Sequence, residues 1–141
     1  DGIIFYLYTG SDGQQHGLVV SKTETTAQWQ STASLVNANR TEDGSYNTGV
    51  MTNSPAKTWV TALGAGWYLP SVDELGLLWH NRYHVNKTAR SIGSTLLSSI
   101  ASYWSSTEYS ATSAFNFDFY YGLASNGGKA STYSVRGVRA F

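Results

Sequence analysis

The chain has 141 residues, nine Lys or Arg against nine Asp or Glu, and no cysteine. One domain of this length buries roughly two thirds of its unfolded surface and folds without staples, while the missing cysteine excludes disulfides, thiolate metal sites and cysteine nucleophiles. Zero net charge with 13% charged residues argues against a general polyanion binder, so no nucleic-acid partner is expected, and the apolar runs fall far short of the ~20 residues that span a bilayer.

Ile3–Tyr8 and Gly17–Ser21 are apolar, β-branched runs around the turn-rich Thr9-Gly10-Ser11-Asp12-Gly13, which predicts a β-hairpin. No signal peptide is visible, and a chain that opens at once on a strand-like run is expected to be a piece of something longer. Residues 22–50 are polar without sustained periodicity, with Trp29 and Leu35 expected as core anchors. A helix is predicted from Pro55 to Leu63, ended by Gly64-Ala65-Gly66. The clearest helix start is Leu69-Pro70-Ser71-Val72-Asp73-Glu74, where Ser71 and Glu74 form a capping box. Leu75, Leu78, Trp79 and Tyr83 then share one helical face. A second helical piece is expected over Ser91–Ile100, and strands over Tyr103–Glu108, Ala114–Tyr120 and Val135–Phe141. In the middle strand Phe115, Phe117 and Phe119 alternate with Asn116 and Asp118, one face apolar and one polar. Gly122–Gly128 is expected as a loop. Strands, helices, then strands again predict an α+β fold spanning residues 1–141 as one unit, its terminal strands paired in one antiparallel sheet.

Three pieces occur together and in order: IIFYLY with HGLVV, then GWYLPSVDEL, then YWSSTEY with VRGVRAF. In combination they resemble the Lcl C-terminal domain family, named after a bacterial collagen-like adhesin. The resemblance implies a C-type-lectin-like fold of antiparallel sheets with two or three helices and neighbouring termini. It also implies extracellular display, on a cell surface or phage particle, and binding of sulfated glycosaminoglycans as a trimer. Gly66, Trp67, Leu69, Pro70, Trp104, Val135, Val138 and Phe141 carry the pattern and are of structural type. The Glu-Pro-Asn, Gln-Pro-Asp and Trp-Asn-Asp signatures of calcium-dependent lectins are missing, and six to eight oxygen ligands cannot be assembled. The formylglycine-generating enzymes of related fold work through cysteine, which is absent, so no catalysis and no cofactor are expected.

Among candidate sites, His80 and His84 stand at the i, i+4 spacing of a zinc pair, with His16 or a distant acid as third ligand; a polar helix face explains them more simply. Asp73 and Glu74 fit capping better than acid–base work. Between Glu74 and Glu108 there is no acid, while Arg82, Lys87 and Arg90 supply three positive charges. With Lys129 they form the predicted site for an anionic glycan, since Arg offers a bidentate fork to sulfate or carboxylate. A polar helix end whose cations offset the dipole is the plainer alternative.

In residues 109–134, Tyr, Ser, Gly and Asn supply 14 of 26 positions, the palette of antibody paratopes. Lys, Gln, Glu, Met and Trp occur there once, as Lys129. That bias resembles the targets of diversity-generating retroelements. It makes Tyr109, Tyr120, Tyr121, Asn126 and Tyr133 the candidates for a variable receptor-binding surface. The favoured expectation is a calcium-independent adhesin-type domain binding host or cell-surface glycans. A diversified receptor binder and a fibre-tip trimerisation module are the alternatives.

Overall fold

The computed structural model describes residues 1–141 and is α+β, with four helices and two sheets. Along the chain lie β1 (Gly2–Thr9), β2 (Gln15–Ser21), β3 (Thr25–Gln28), α1 (Gly44–Val50), α2 (Pro55–Thr61) and β4 (Trp67–Tyr68). Then come α3 (Val72–His80), α4 (Arg82–Ile92), β5 (Ser102–Glu108), β6 (Ser113–Asp118), β7 (Leu123–Gly128), β8 (Thr132–Val135) and β9 (Val138–Ala140). One sheet has the order β1-β2-β9-β4, the other β3-β8-β5-β6-β7.

The predicted N-terminal hairpin forms, from Gly2 opposite Ser21 to Thr9 opposite Gln15, with a bulge between Ile4 and Tyr6. The bulge lets Phe5 stay buried while Tyr6 faces Leu18 across the pair. The expected pairing of the chain ends holds, because β9 lies between β2 and β4. The predicted strand Val135–Phe141 is broken, however. β8 joins the five-stranded sheet, β9 joins the four-stranded one, and Arg136-Gly137 makes the crossing. Arg136 is fully buried there and donates to the carbonyls of Ser21, Thr95 and Leu96 and to the Glu24 carboxylate. Carbonyls left without ladder partners at a strand crossing need such a donor.

Two apolar clusters hold the elements. Ile3, Phe5, Leu18 and Val20 meet Leu75, Leu78, Val85 and Ala89 of α3 and α4 in one. Trp29, Met51, Val60, Leu69, Trp104 and Val135 form the other, with α1 and α2. Each fully buried aliphatic side chain contributes about 1.5–3 kcal/mol.

The capping box forms as expected: Ser71 Oγ accepts from the Glu74 amide at 3.3 Å, and Glu74 Oε1 accepts from the Ser71 amide at 3.4 Å. Four further expectations fail. Leu35 is 61% exposed, and Trp29 shares the anchoring of its segment with buried Ala38 instead. The second helix is Arg82–Ile92 rather than Ser91–Ile100, because Gly93 takes a left-handed φ of 70° and ends it. The break at Asn81 also turns Tyr83 out of the predicted face, to 76% exposure. Gly122–Gly128 holds strand β7 at a sheet edge, in unbroken register with β6, instead of a loop. Along β6 and the residue after it, the apolar alternation holds for Phe117 and Phe119. Phe115 is only half-buried against Tyr109, and Asn116 on the opposite face is buried.

Candidate ligand-binding site

Helix α4 places Arg82, Asn86 and Arg90 at i, i+4 and i+8, with Tyr83 and Lys87 one residue on, so all five share one side of the helix. They line a groove of about 850 Å³ whose other wall is Leu97, Ser98 and Ser99. Arg82 and Arg90 are eight residues apart, about 12 Å along the axis. The loop wall is pinned. Asn86 Oδ1 accepts from the Leu97 amide at 2.7 Å, and Asn86 Nδ2 donates to the Leu97 carbonyl at 3.2 Å. The Ser98 amide donates at 2.8 Å to the hydroxyl of buried Tyr103, which donates in turn to Glu24 at 2.9 Å. Burial pushes the Tyr103 phenol well above its usual range, so it keeps its proton.

The cations on this face are free of acids. The ion pairs of the chain involve His16, Lys22, Arg40, Lys129 and Arg136. Arg82 instead donates to the Trp79 carbonyl at 2.9 Å and lies 3.9 Å over the Trp79 ring. Lys87 stands 3.4 Å from the Tyr83 hydroxyl. His80 closes α3 at the groove's edge, its ring edge-on to Trp79 at 5.1 Å. Asn81 separates it from His84 on α4, and no three metal-ligating side chains converge anywhere in the chain.

Lys129 does not belong to this group. It is fully buried, its ammonium 2.6 Å from Glu108 and 2.7 Å from the Ser34 carbonyl, 4.6 Å from the Trp29 ring centre. Glu108 accepts in turn from the amides of Val36 and Asn37 at 2.9 Å. The pair ties the polar segment after β3 to the end of β5 and leaves no ammonium for a ligand.

The aromatic candidates divide as well. Tyr109 follows β5, while Tyr120 and Tyr121 follow β6, so they stand at opposite ends of a six-residue strand, roughly 17–20 Å apart. Tyr120 and Tyr121 are 64% and 71% exposed, with perpendicular rings at 4.9 Å. Asp118 Oδ1 accepts from both their amides and fixes the turn. Asn126 is exposed on edge strand β7. Tyr133 packs edge-on against Trp104 at 4.6 Å and is half-buried, a role nearer to core than to surface.

Asp73 is exposed at the start of α3, and Glu74 is a buried linchpin. It accepts from Tyr68 Oη and from the Gly44 amide, both at 2.7 Å. Burial pushes its carboxyl above the usual range against the pull of those bonds. Sequence reasoning missed Asn86, Leu97, Ser98 and Ser99 as groove residues. The i, i+4 spacing of Arg82, Asn86 and Arg90 was the available signal for Asn86; nothing in the order of residues 94–100 shows that they fold back on α4.

The family model for the Lcl C-terminal domain matches residues 18–139. No curated protein matches the chain. Among solved structures, a fimbrial protein from Bacteroides ovatus ATCC 8483 superposes with a TM-score of 0.74 at 20% identity. The match covers 92% of this chain and 37% of that one, so the chain spans little more than a third of that protein's length. No helix is long and apolar enough to cross a membrane.

Proposed function

Because the chain belongs to the Lcl C-terminal domain family, we propose that it is a surface-displayed binding domain whose α4 groove takes an anionic glycan bearing sulfate or carboxylate groups. One observation carries the reading: Arg82, Lys87 and Arg90 face one groove, and none is neutralised by an acid. Guanidinium forks bind sulfate or carboxylate in bidentate fashion, and the exposed Ser99 offers a hydroxyl to a sugar. Surface display is supported by the family and by the description of the structural neighbour as a fimbrial protein. The action is binding, without calcium and without catalysis. Exposed ion pairs contribute only about 0.2–1 kcal/mol each, so single-site affinity is weak and a trimer would supply avidity.

The test is retention on immobilised heparin by Arg82→Ala/Lys87→Ala/Arg90→Ala. Retention should be lost, and for the parent it should weaken steeply with salt. Unchanged retention overturns the reading.

A second reading has its own support: Tyr120 and Tyr121 stand exposed beside each other at the β6–β7 turn. Such a surface would suit a protein receptor. Tyr120→Ala/Tyr121→Ala should then abolish cell binding while leaving heparin retention intact; cell binding lost only with the α4 triple variant excludes it.

A further inference from the structure

A second cleft, of about 510 Å³, shares no residue with the α4 groove. It lies over the four-stranded sheet, on Leu18 of β2 and Ala140 of β9, which face each other across the ladder. On the β1 side stand Tyr6 and Tyr8, their rings stacked at 5.8 Å. On the β4 side stand Tyr68 and Glu74, and the loop entering α1 adds Glu42 and Asp43. No lysine, arginine or histidine lines it.

The acids differ in what they are free to do. Glu74 is buried and occupied by Tyr68 and the Gly44 amide. Asp43 caps α1 through the Tyr46 amide and binds Arg40 at 2.9 Å. Glu42 is exposed and meets only the Thr41 hydroxyl, at 3.4 Å. The cleft thus offers aromatic rings, one uncommitted carboxylate at its rim and two further carboxylates behind it. Asp43 is already balanced by Arg40, so Glu42 carries the uncompensated charge of the cleft. A neutral ligand gains from the rings alone. A cation gains from both, because an aromatic face carries negative potential. The same combination is already made next door, where the Arg40 guanidinium lies 3.5 Å over the Tyr46 ring while paired with Asp43.

We propose that this cleft binds an organic cation, an alkylammonium or guanidinium group, held against the rings of Tyr6 and Tyr8 with Glu42 as its counter-ion. The group belongs either to a free amine or to a basic side chain of a partner protein, and the chemistry of recognition is common to both. The site is independent of the glycan reading, since heparin retention reports only on α4.

The test is an NMR titration of the ¹⁵N-labelled chain, following the amides of Glu42, Ser45 and Gly66. The probes are Nα-acetyl-arginine methylamide, Nα-acetyl-lysine methylamide and tetramethylammonium; the norleucine analogue and methyl glucoside are neutral controls. Saturable shifts in the millimolar range are expected for the cations alone. Tyr8→Ala and Glu42→Gln should each weaken binding about two- to five-fold, while Tyr8→Phe retains it. Tyr8 is 47% exposed and Glu42 is at the surface, so these variants keep the fold. Tighter binding of a Gly-Arg-Gly peptide than of the capped amino acid supports the proposal with a protein-borne group; equal binding supports it with a free amine. Absence of shifts up to about 50 mM, equal shifts with the neutral controls, or unchanged affinity in both variants overturns it.

Discussion

Replacing Lys129 by Met distinguishes a buried structural cation from a ligand-binding one. The change keeps most of the stem and deletes the charge 2.6 Å from a Glu108 side chain that is only 4% exposed. Removing one member of a buried ion pair costs about 3–5 kcal/mol, because the other charge stays behind uncompensated. Glu108 would still accept from the amides of Val36 and Asn37, which places the loss near the lower end, about 3 kcal/mol. Against a total stability of about 5–15 kcal/mol, that is a large fraction. Urea denaturation followed by tryptophan fluorescence measures it directly, since Trp29 lies beside the ammonium. The double variant Lys129→Met/Glu108→Gln should recover much of the loss, for it removes the stranded charge. A loss below about 1 kcal/mol for the single variant, or reduced heparin retention by the folded variant, would refute the structural assignment of Lys129.

Three further outcomes follow from particular contacts. Glu74 has a folded-state pKa above 4.5 because of burial, so the folded chain holds this proton more tightly than the unfolded one. Stability should therefore fall as pH rises from 4.5 through the raised value, and Glu74→Gln, which keeps a capping-box side chain, should flatten that slope in urea melts across this range. His16 is half-buried and bonded to Asp12 at 2.9 Å, which raises its pKa above 6.5. Its imidazole should titrate by NMR above 6.5 and return toward 6.5 in Asp12→Asn; the stabilisation of the protonated contact is present below 6.5 and lost as pH rises through the raised value. Gly122 has φ +72° and sits against the Trp79 ring, which a Cβ would strike. Gly122→Ala should destabilise by about 1–3 kcal/mol in the same melts.

What could be read from the sequence was whatever local chemistry determines. The Ser71–Glu74 box, the helix from Pro55 and the N-terminal hairpin, whose farthest partners are Gly2 and Ser21, each depend on residues close in sequence, and all three form. What could not be read depends on distant partners. β3 is a strand because Thr25–Gln28 pairs with residues 132–135, more than a hundred positions away. β7 is polar and glycine-rich, a loop by composition, and becomes a strand because β6 offers it a complete ladder. Lys129 looked like a surface cation because nothing near it in sequence is acidic; its partner Glu108 reaches it only through the fold. Arg82, Lys87 and Arg90, grouped in the sequence by the acid-free run, line one groove, although the second helical piece was placed about nine residues too late.

The chain's zero net charge also takes on a different meaning. Four of the nine Lys and Arg residues are consumed in pairs with Asp1, Asp43, Glu108 and Glu24. Of the five that remain, Lys57, Arg82, Lys87, Arg90 and Arg139, three lie on one side of a single helix. The acids left outside those four pairs include Glu42 and Glu74, both lining the other cleft. At physiological salt a charge is felt over about 8 Å. A bound group therefore senses the local set of side chains rather than the sum over the molecule. Neutrality argues against a chain coated in positive charge, as a polyanion binder of the nucleic-acid type would be. It places no bar on a basic groove and an acidic, aromatic cleft in the same domain, each addressing a ligand of the opposite sign.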